Sequence, residues 1–341
     1  MRTLVTGGSG FVGSAIVREL VGRGEEVRVT IRQRSNTRNI DDLGVERTYV
    51  DIRDAEAVRR VLKGCQRLYH TAALYKIWIK DESELHQVNV EGTRIVLSEA
   101  LRTGVEKVVF TSSIAALGIS KDGKPSDEKA AFNLWHTKFP YEISKYEGER
   151  VAWEFFKRGL PLVVVRPSLV LGERDIYPTP SGKMVLDILN KRYLFYLDGG
   201  INVVDIHDVA VGHILAMEKG KIGESYNLGN NHNNISLKKL FSLIGELSGV
   251  SPPRFKTSYA GALAFSSVCL FIANHITHRP PLLTPGVLQV LHLFKKMDSS
   301  KAIEELGLPQ TPLRETIRRT VEWYKKNGYW SKEEQRLTGN S

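Results

Sequence analysis

Thr6-Gly7-Gly8-Ser9-Gly10-Phe11-Val12-Gly13 lies directly between an apolar, strand-like run, Thr3 to Thr6, and a helical pattern that begins at Phe11. Glycines at 7, 10 and 13 permit a tight turn, close approach of the backbone to a pyrophosphate, and close packing of helix on strand. The helix N-terminus adds amide donors and a dipole that favours an anion. The turn, including Ser9, Phe11 and Val12, therefore predicts a dinucleotide site opening a strand–helix–strand unit. A glycine-rich turn without a ligand is the competing reading.

Working outward, residues 2 to 170 keep that rhythm. Short β-branched runs at Val27 to Ile31, Glu46 to Val50, Arg67 to His70, Lys107 to Thr111 and Leu162 to Arg166 alternate with helical patterns. Continuously apolar strands such as Val108-Val109-Phe110 and Val163-Val164-Val165 are expected where helices cover both faces of a parallel sheet. The pattern predicts an α/β fold, a doubly wound parallel sheet of Rossmann type, with a smaller, mostly helical C-terminal substrate domain. The expected division is 1–172 for the nucleotide-binding part, with segments within about 202–229 returning to the sheet. A substrate-binding cap at 173–330 and a tail at 331–341 complete it.

The second strand ends Ile31-Arg32-Gln33-Arg34-Ser35, with no acidic residue where one would hold a free ribose 2′-hydroxyl. A guanidinium there suits a 2′-phosphate, so Arg32 favours NADP(H) over NAD(H), which stays open, as does a merely solvated basic loop. Farther on, Tyr141-Glu142-Ile143-Ser144-Lys145 opens a helix, and a spacing of four puts Tyr141 and Lys145 on one face. An adjacent ammonium and a nicotinamide cation would bring a phenol's pKa down from about 10 toward a useful range. Thr111-Ser112-Ser113 ends a strand on the ligand side of the sheet. There Ser113 can polarise a carbonyl, with Ser112 as the neighbour it could be confused with and a structural strand-end cap as the other option.

A glycine turn, a Ser and a Tyr-x-x-x-Lys in this order resemble the extended short-chain dehydrogenase/reductases, part of the NAD-dependent epimerase/dehydratase superfamily. The resemblance covers nearly the whole chain. It implies cofactor contacts at Asp51 and Ile52 on the adenine side, at Thr71, Ala72 and Ala73 after His70, at Asn89, at Thr111, and at Pro167 and Ser168 near the nicotinamide, beside Tyr141 and Lys145. Within that superfamily the chain is most similar to the dihydroflavonol-reductase-like branch, and there to the bacterial group labelled hopanoid-associated sugar epimerases. Arg32 matches the phosphate-binding arginine of the reductases. A homodimer is also implied by the resemblance.

Two departures weaken sugar-nucleotide chemistry. The chain has Asp205-Ile206-His207-Asp208 where many members carry His-x-Asp-Asp, and Leu117-Gly118 where epimerases often have Tyr-Gly. His207 reads as structural. Ile114-Ala115-Ala116 follows Ser113 in place of a dehydratase Asp-Glu pair, which argues against carboxylate-assisted dehydration. The leading expectation is reversible reduction of a ketone or aldehyde by Ser113, Tyr141 and Lys145. A nucleotide-sugar epimerase with tightly held cofactor is the alternative, for which Lys183, Lys191, Arg192 and Arg254 could grip a diphosphate. A redox-sensing or scaffolding protein that binds dinucleotide without turnover is the third reading, and the intact Ser, Tyr and Lys set argues against it.

The 341 residues carry a net charge of +10, with 42% hydrophobic and 25% charged residues. That charge suits an acidic partner, but no zinc-ligand spacing, RNP-like motif or compact basic run points to nucleic acid. Cys65 and Cys269 read as reduced packing residues, and the N-terminus reads as a strand and not a signal peptide, so a cytoplasmic enzyme is expected. One stretch resists that reading. Thr257 to His278 contains no Asp, Glu, Lys or Arg, and its length approaches a membrane span. A buried or substrate-covering helix is the favoured expectation, ahead of peripheral membrane contact and, last, a true span. With Leu282, Leu283, Leu288, Leu291 and Phe294, Tyr259 to Ala273 offers more apolar surface than a small sugar needs, which admits a lipid-like or polycyclic substrate, with ordinary core packing the favoured use of most of those side chains.

Overall fold

The computed structural model describes residues 2–120, 122–193 and 195–330; the expected tail at 331–341 lies outside them. Six strands enter in sequence, β1 (Arg2–Thr6), β2 (Glu26–Ile31), β3 (Glu46–Tyr49), β4 (Arg67–His70), β5 (Lys107–Thr111) and β6 (Leu162–Pro167). Between them run α1 (Phe11–Gly22), α2 (Ala55–Leu62), the short α3 (Ser83–His86), which continues through a π-helical turn into α4 (Thr93–Thr103), and α5 (Pro140–Lys157). After β6 come β7 (Leu169–Leu171), α6 (Pro180–Leu189), β8 (Phe195–Tyr196), β9 (Gly200–Asp205), α7 (Ile206–Glu218) and β10 (Ser225–Leu228). The remainder is β11 (Asn234–Ser236), α8 (Leu237–Ser248), β12 (Phe255–Lys256), α9 (Tyr259–Ile272), α10 (Pro285–His292) and α11 (Leu313–Lys326).

The large sheet has the order β10-β6-β5-β4-β1-β2-β3, and all its pairings are parallel. Strand alternation decides which core each side chain joins. Leu4, Val108 and Val164 point into a cluster under α2, α4 and α5, whereas Val5, Val109, Val163 and Val165 point into one under α1 and α7. Both faces are dry, which is why β5 and β6 are apolar through their middles. Full burial of each such side chain stabilises the fold by roughly 1.5–3 kcal/mol.

β10 extends this sheet beyond β6, with Tyr226 opposite Val165 and Leu228 opposite Pro167. β9 does not join it. It forms a three-stranded sheet with β7 and β11, over a third core containing Leu171, Val185, Leu240, Ile317 and Tyr324. The order of strand addition reverses at β1, with β2 and β3 added on one side and β4 to β6 on the other, and ligands in such sheets bind at that switch point, beyond the C-terminal strand ends.

The apolar segment differs from the favoured expectation. In α9 only Ala262 and Ser266 are buried, while Phe265, Val268 and Phe271 are 44%, 57% and 58% exposed. α10 packs along one side of the helix, and among the described residues no element covers its outer face. An all-round apolar composition ordinarily signals burial, but here the helix is pinned at its edges, by Tyr259 stacked on His292 and Phe265 against Phe195. Cys65 is buried, Cys269 is half-buried, and both are free thiols.

Candidate active site

A cleft of about 470 Å3 runs from the first glycine turn, past the ends of β1, β4, β5 and β6, to the segment around α10. Gly7, Ser9, Gly10, Phe11, Val12 and Gly13 form its floor. Gly7 has φ +69°, and a Cβ on it would meet the Ala72 Cα at 2.9 Å, so only glycine fits without strain. A Cβ on Gly13 would run into the Gly7 carbonyl oxygen and the Thr71 hydroxyl. Gly10 caps α1 without any side-chain acceptor, which leaves the first-turn amides available to an anion.

The turn is tied to the neighbouring strand end. The Thr71 hydroxyl donates to the Thr6 carbonyl at 2.6 Å, and His70 lies between the hydroxyls of Thr6 and Thr93 at 2.8 and 3.2 Å. Burial pushes the His70 imidazole down to about 3, with the charge of Lys145 adding to the effect, so the ring is neutral. At the adenosine end Arg32, Asp51, Ile52 and Arg53 line the cleft. Arg53 Nη2 donates to Asp51 at 2.6 Å, and that hydrogen bond holds the Asp51 carboxyl below its usual range. Arg53 escaped the sequence reading, although its place two residues after Asp51 marked it.

Asn89 is not among the cleft-lining residues. It is buried, with its amide oxygen accepting from Leu74 N at 2.7 Å and its nitrogen donating to the Leu74 carbonyl and the Ser144 hydroxyl, both at 3.0 Å. Asn89 braces the loop after Ala73 against the helix that carries Tyr141.

Thr111, Ser113, Tyr141, Lys145, Pro167 and Ser168 all line the middle of the cleft. Ser112 also reaches it, but its hydroxyl donates to Glu149 at 2.6 Å, which leaves Ser113 as the serine free to meet a ligand. Glu149 also holds Arg166 at 2.5 and 2.9 Å and the Trp153 indole at 3.1 Å. Burial works to raise the Glu149 carboxyl, but Arg166 and these hydrogen bonds outweigh it and keep it ionised. This knot fixes the strand end and α5 relative to each other.

Tyr141 is pushed well above the ordinary phenol range, first by burial and then by Tyr75 and Glu142, with a hydrogen bond to Ser113 opposing. The Tyr75 ring lies 4.7 Å from it, centroid to centroid. The Lys145 ammonium donates to the Thr111 carbonyl at 2.9 Å, and burial brings its pKa down to about 8 while Glu149 opposes.

Beyond Tyr141 the cleft becomes apolar, lined by Met184, Ile201, Leu282, Leu283, Val287 and Leu291. One charged pair interrupts it: Lys295 donates to Glu142 at 3.0 Å, with both side chains almost wholly buried. Burial raises Glu142 and lowers Lys295, each partner opposing the other's shift, and Glu142 Oε2 has no hydrogen-bond partner. Sequence reasoning missed the pair because 153 positions separate the two residues. None of Lys183, Lys191, Arg192 and Arg254 lines the cleft. Lys183 and Arg192 both pair with Asp187, and His207 pairs with Glu19 on α1 at 3.2 Å.

The residues present fit a bound dinucleotide. The N-terminus of α1 has no side-chain cap, and the Ser168 hydroxyl in the middle of the cleft is buried without a partner. Comparison with known proteins agrees. The NAD dependent epimerase/dehydratase family matches residues 3–229. A Synechocystis sp. protein provisionally named dihydroflavonol 4-reductase is 35% identical over 330 residues, 95% of each chain. Sterol demethylase protein B of Methylococcus capsulatus is 35% identical over 332 residues, 96% of this chain and 99% of that one. The structure of Thermus thermophilus UDP-glucose 4-epimerase in complex with NAD superposes with a TM-score of 0.74 at 25% identity, covering 95% of this chain and 99% of the other.

Proposed function

Because the chain belongs to the NAD dependent epimerase/dehydratase family and is an NAD(P)-dependent enzyme, we propose that it is an NADP(H)-dependent oxidoreductase that reversibly reduces a ketone or aldehyde on an apolar substrate. The observation that carries this reading is the lining of the substrate end of the cleft. It is built from aliphatic side chains, while the four basic residues that could have held a sugar diphosphate lie outside it. The names of the Synechocystis and Methylococcus relatives, a reductase and a sterol-modifying protein, point the same way.

A bound nicotinamide supplies the hydride and, once oxidised, a positive charge beside the phenol. Ser113 and Tyr141 hold the carbonyl oxygen by hydrogen bonds that strengthen as negative charge grows on it. Tyr141 then gives its proton to that oxygen. Its raised pKa suits it to arrive protonated in the reducing direction. Lys145, anchored on the Thr111 carbonyl at the cofactor side of Tyr141, orients the ribose and passes a proton back toward the phenolate. Arg32 and Arg53 meet the 2′-phosphate, which favours NADP(H).

The test is oxidation of NADPH and of NADH against a panel of aldehydes, ketones and nucleotide sugars, with Tyr141→Phe beside the parent. Turnover of an apolar carbonyl with NADPH preferred, falling by about 10²–10⁴-fold in Tyr141→Phe, is the expected result. Interconversion of a nucleotide sugar without added cofactor would make the enzyme an epimerase instead.

A further inference from the structure

Residues 247–297 contain no Asp or Glu, although Arg254, Lys256, Arg279 and Lys296 fall among them. Within this stretch Tyr259–Thr277 is 19 residues long with mean hydropathy 1.5, enough by length and composition to cross a membrane. At 100° per residue its exposed side chains Phe265, Val268, Phe271 and Ile272 occupy an arc of about 120°, opposite the buried Ala262 and Ser266. Phe255, 75% exposed between Arg254 and Lys256, and Ile276 extend the apolar surface beyond both ends of the helix. Trp78 joins it at the C-terminal end, its indole donating to Asn274 at 2.8 Å, with Lys76 and Lys80 exposed on the same loop.

We propose that this face seats on an anionic lipid bilayer, with α9 lying in the plane of the interface and its apolar arc among the acyl chains. Arg254 and Arg279 then reach headgroup phosphates, and Trp78 sits at headgroup level, where indoles are favoured. The helix lies on the membrane and does not cross it, because both its ends are fastened to one body. β12, just before it, pairs with β8, and the chain just after it lines the cleft. A second copy of the chain is a poorer occupant. A two-fold contact sets like against like, so a rim that stays basic on balance, with Lys256 paired to Asp198 at 2.6 Å, would face itself, whereas phosphates neutralise Arg254 and Arg279.

The seated face also borders the substrate chamber. Leu282 and Leu283 follow the end of the helical segment at Thr277 after four residues, Ile77 directly precedes Trp78, and all three line the cleft. An apolar carbonyl dissolved in the bilayer reaches Tyr141 along this wall without crossing water, so the substrate class is a membrane-resident lipid. That second half rests on the reductase reading; the docking does not.

Flotation of the purified full chain with vesicles tests it, using phosphatidylcholine with and without phosphatidylglycerol. The parent should float with the anionic vesicles, less so in high salt. A triple variant, Phe265→Asn, Val268→Asn and Phe271→Asn, should lose at least about tenfold in vesicle partitioning with an unchanged circular dichroism spectrum. Tyr141→Phe should float like the parent while losing turnover, so the docking and the reductase reading can fail separately. The proposal is overturned if the parent stays unbound with both vesicle types. It is equally overturned if the triple variant floats undiminished, or if the variant only dissociates a dimer.

Discussion

The first glycine turn and α9 are both apolar, glycine- and serine-containing stretches beside the same cleft, yet they are held in opposite ways. The residues behind the turn are bonded to one another, Thr71 on Thr6, His70 between two threonines, Asn89 on Leu74. α9 is held by fewer contacts, two buried residues among its fourteen and the edge stacking of Tyr259 and Phe265. A region that must present fixed amides to a pyrophosphate is over-determined by its own hydrogen bonds. A region that presents no fixed groups to a ligand can be attached by a few contacts, with its apolar face left exposed.

The sharpest way to break that comparison is Glu149→Gln. It leaves Arg166 as an uncompensated charge under the nucleotide site, and the loss in unfolding free energy should be about 3–5 kcal/mol, measured by urea denaturation. A loss below about 1 kcal/mol would mean that the knot joining β6 to α5 is ornamental. Acid should come next. His70 at about 3 and His213 at about 4 are both depressed by burial from 6.5, so the unfolded chain binds their protons first. Their contribution is complete above about pH 6.5 and is lost as pH falls below it, by roughly 1.4 kcal/mol per pH unit for each ring. Unfolding curves at pH 7 and pH 5 should separate accordingly, and His70→Gln should narrow the gap. The smallest effect belongs to α9: Phe271→Asn should change stability by no more than about 0.5 kcal/mol in the absence of lipid. A large loss in that variant would show that the helix is a structural member after all.

The sheet was legible because its rules are local and periodic. Strand alternation, glycine spacing and the Tyr-x-x-x-Lys interval each operate within a few residues, and they sufficed for the parallel sheet and for gathering Ser113, Tyr141 and Lys145 at one cleft. What stayed hidden depends on distant neighbours. Glu142 looked like filler inside a motif until Lys295 came to it across the fold. The anchor of Lys145 on the Thr111 carbonyl lies 34 positions back in the chain, beyond the reach of any local pattern. Asn89 turned inward because Leu74 and Ser144 offered it a complete set of bonds. The exposure of α9 was illegible for a simpler reason: apolar composition records that a surface avoids water, and says nothing of what it meets instead.

The pairing of β10 with β6 has a consequence for synthesis of the chain. Residues 168–224 intervene between the two strands, so a ribosome that has just released β6 has made every Ser, Tyr and Lys of the site while the sheet still ends on Val163-Val164-Val165. That exposed rim is a template for pairing with another nascent chain, and it stays open until most of the cap has followed. Folding is then paced by the return of one four-residue strand, and a chain truncated near residue 172 should aggregate even though it contains the whole catalytic triplet.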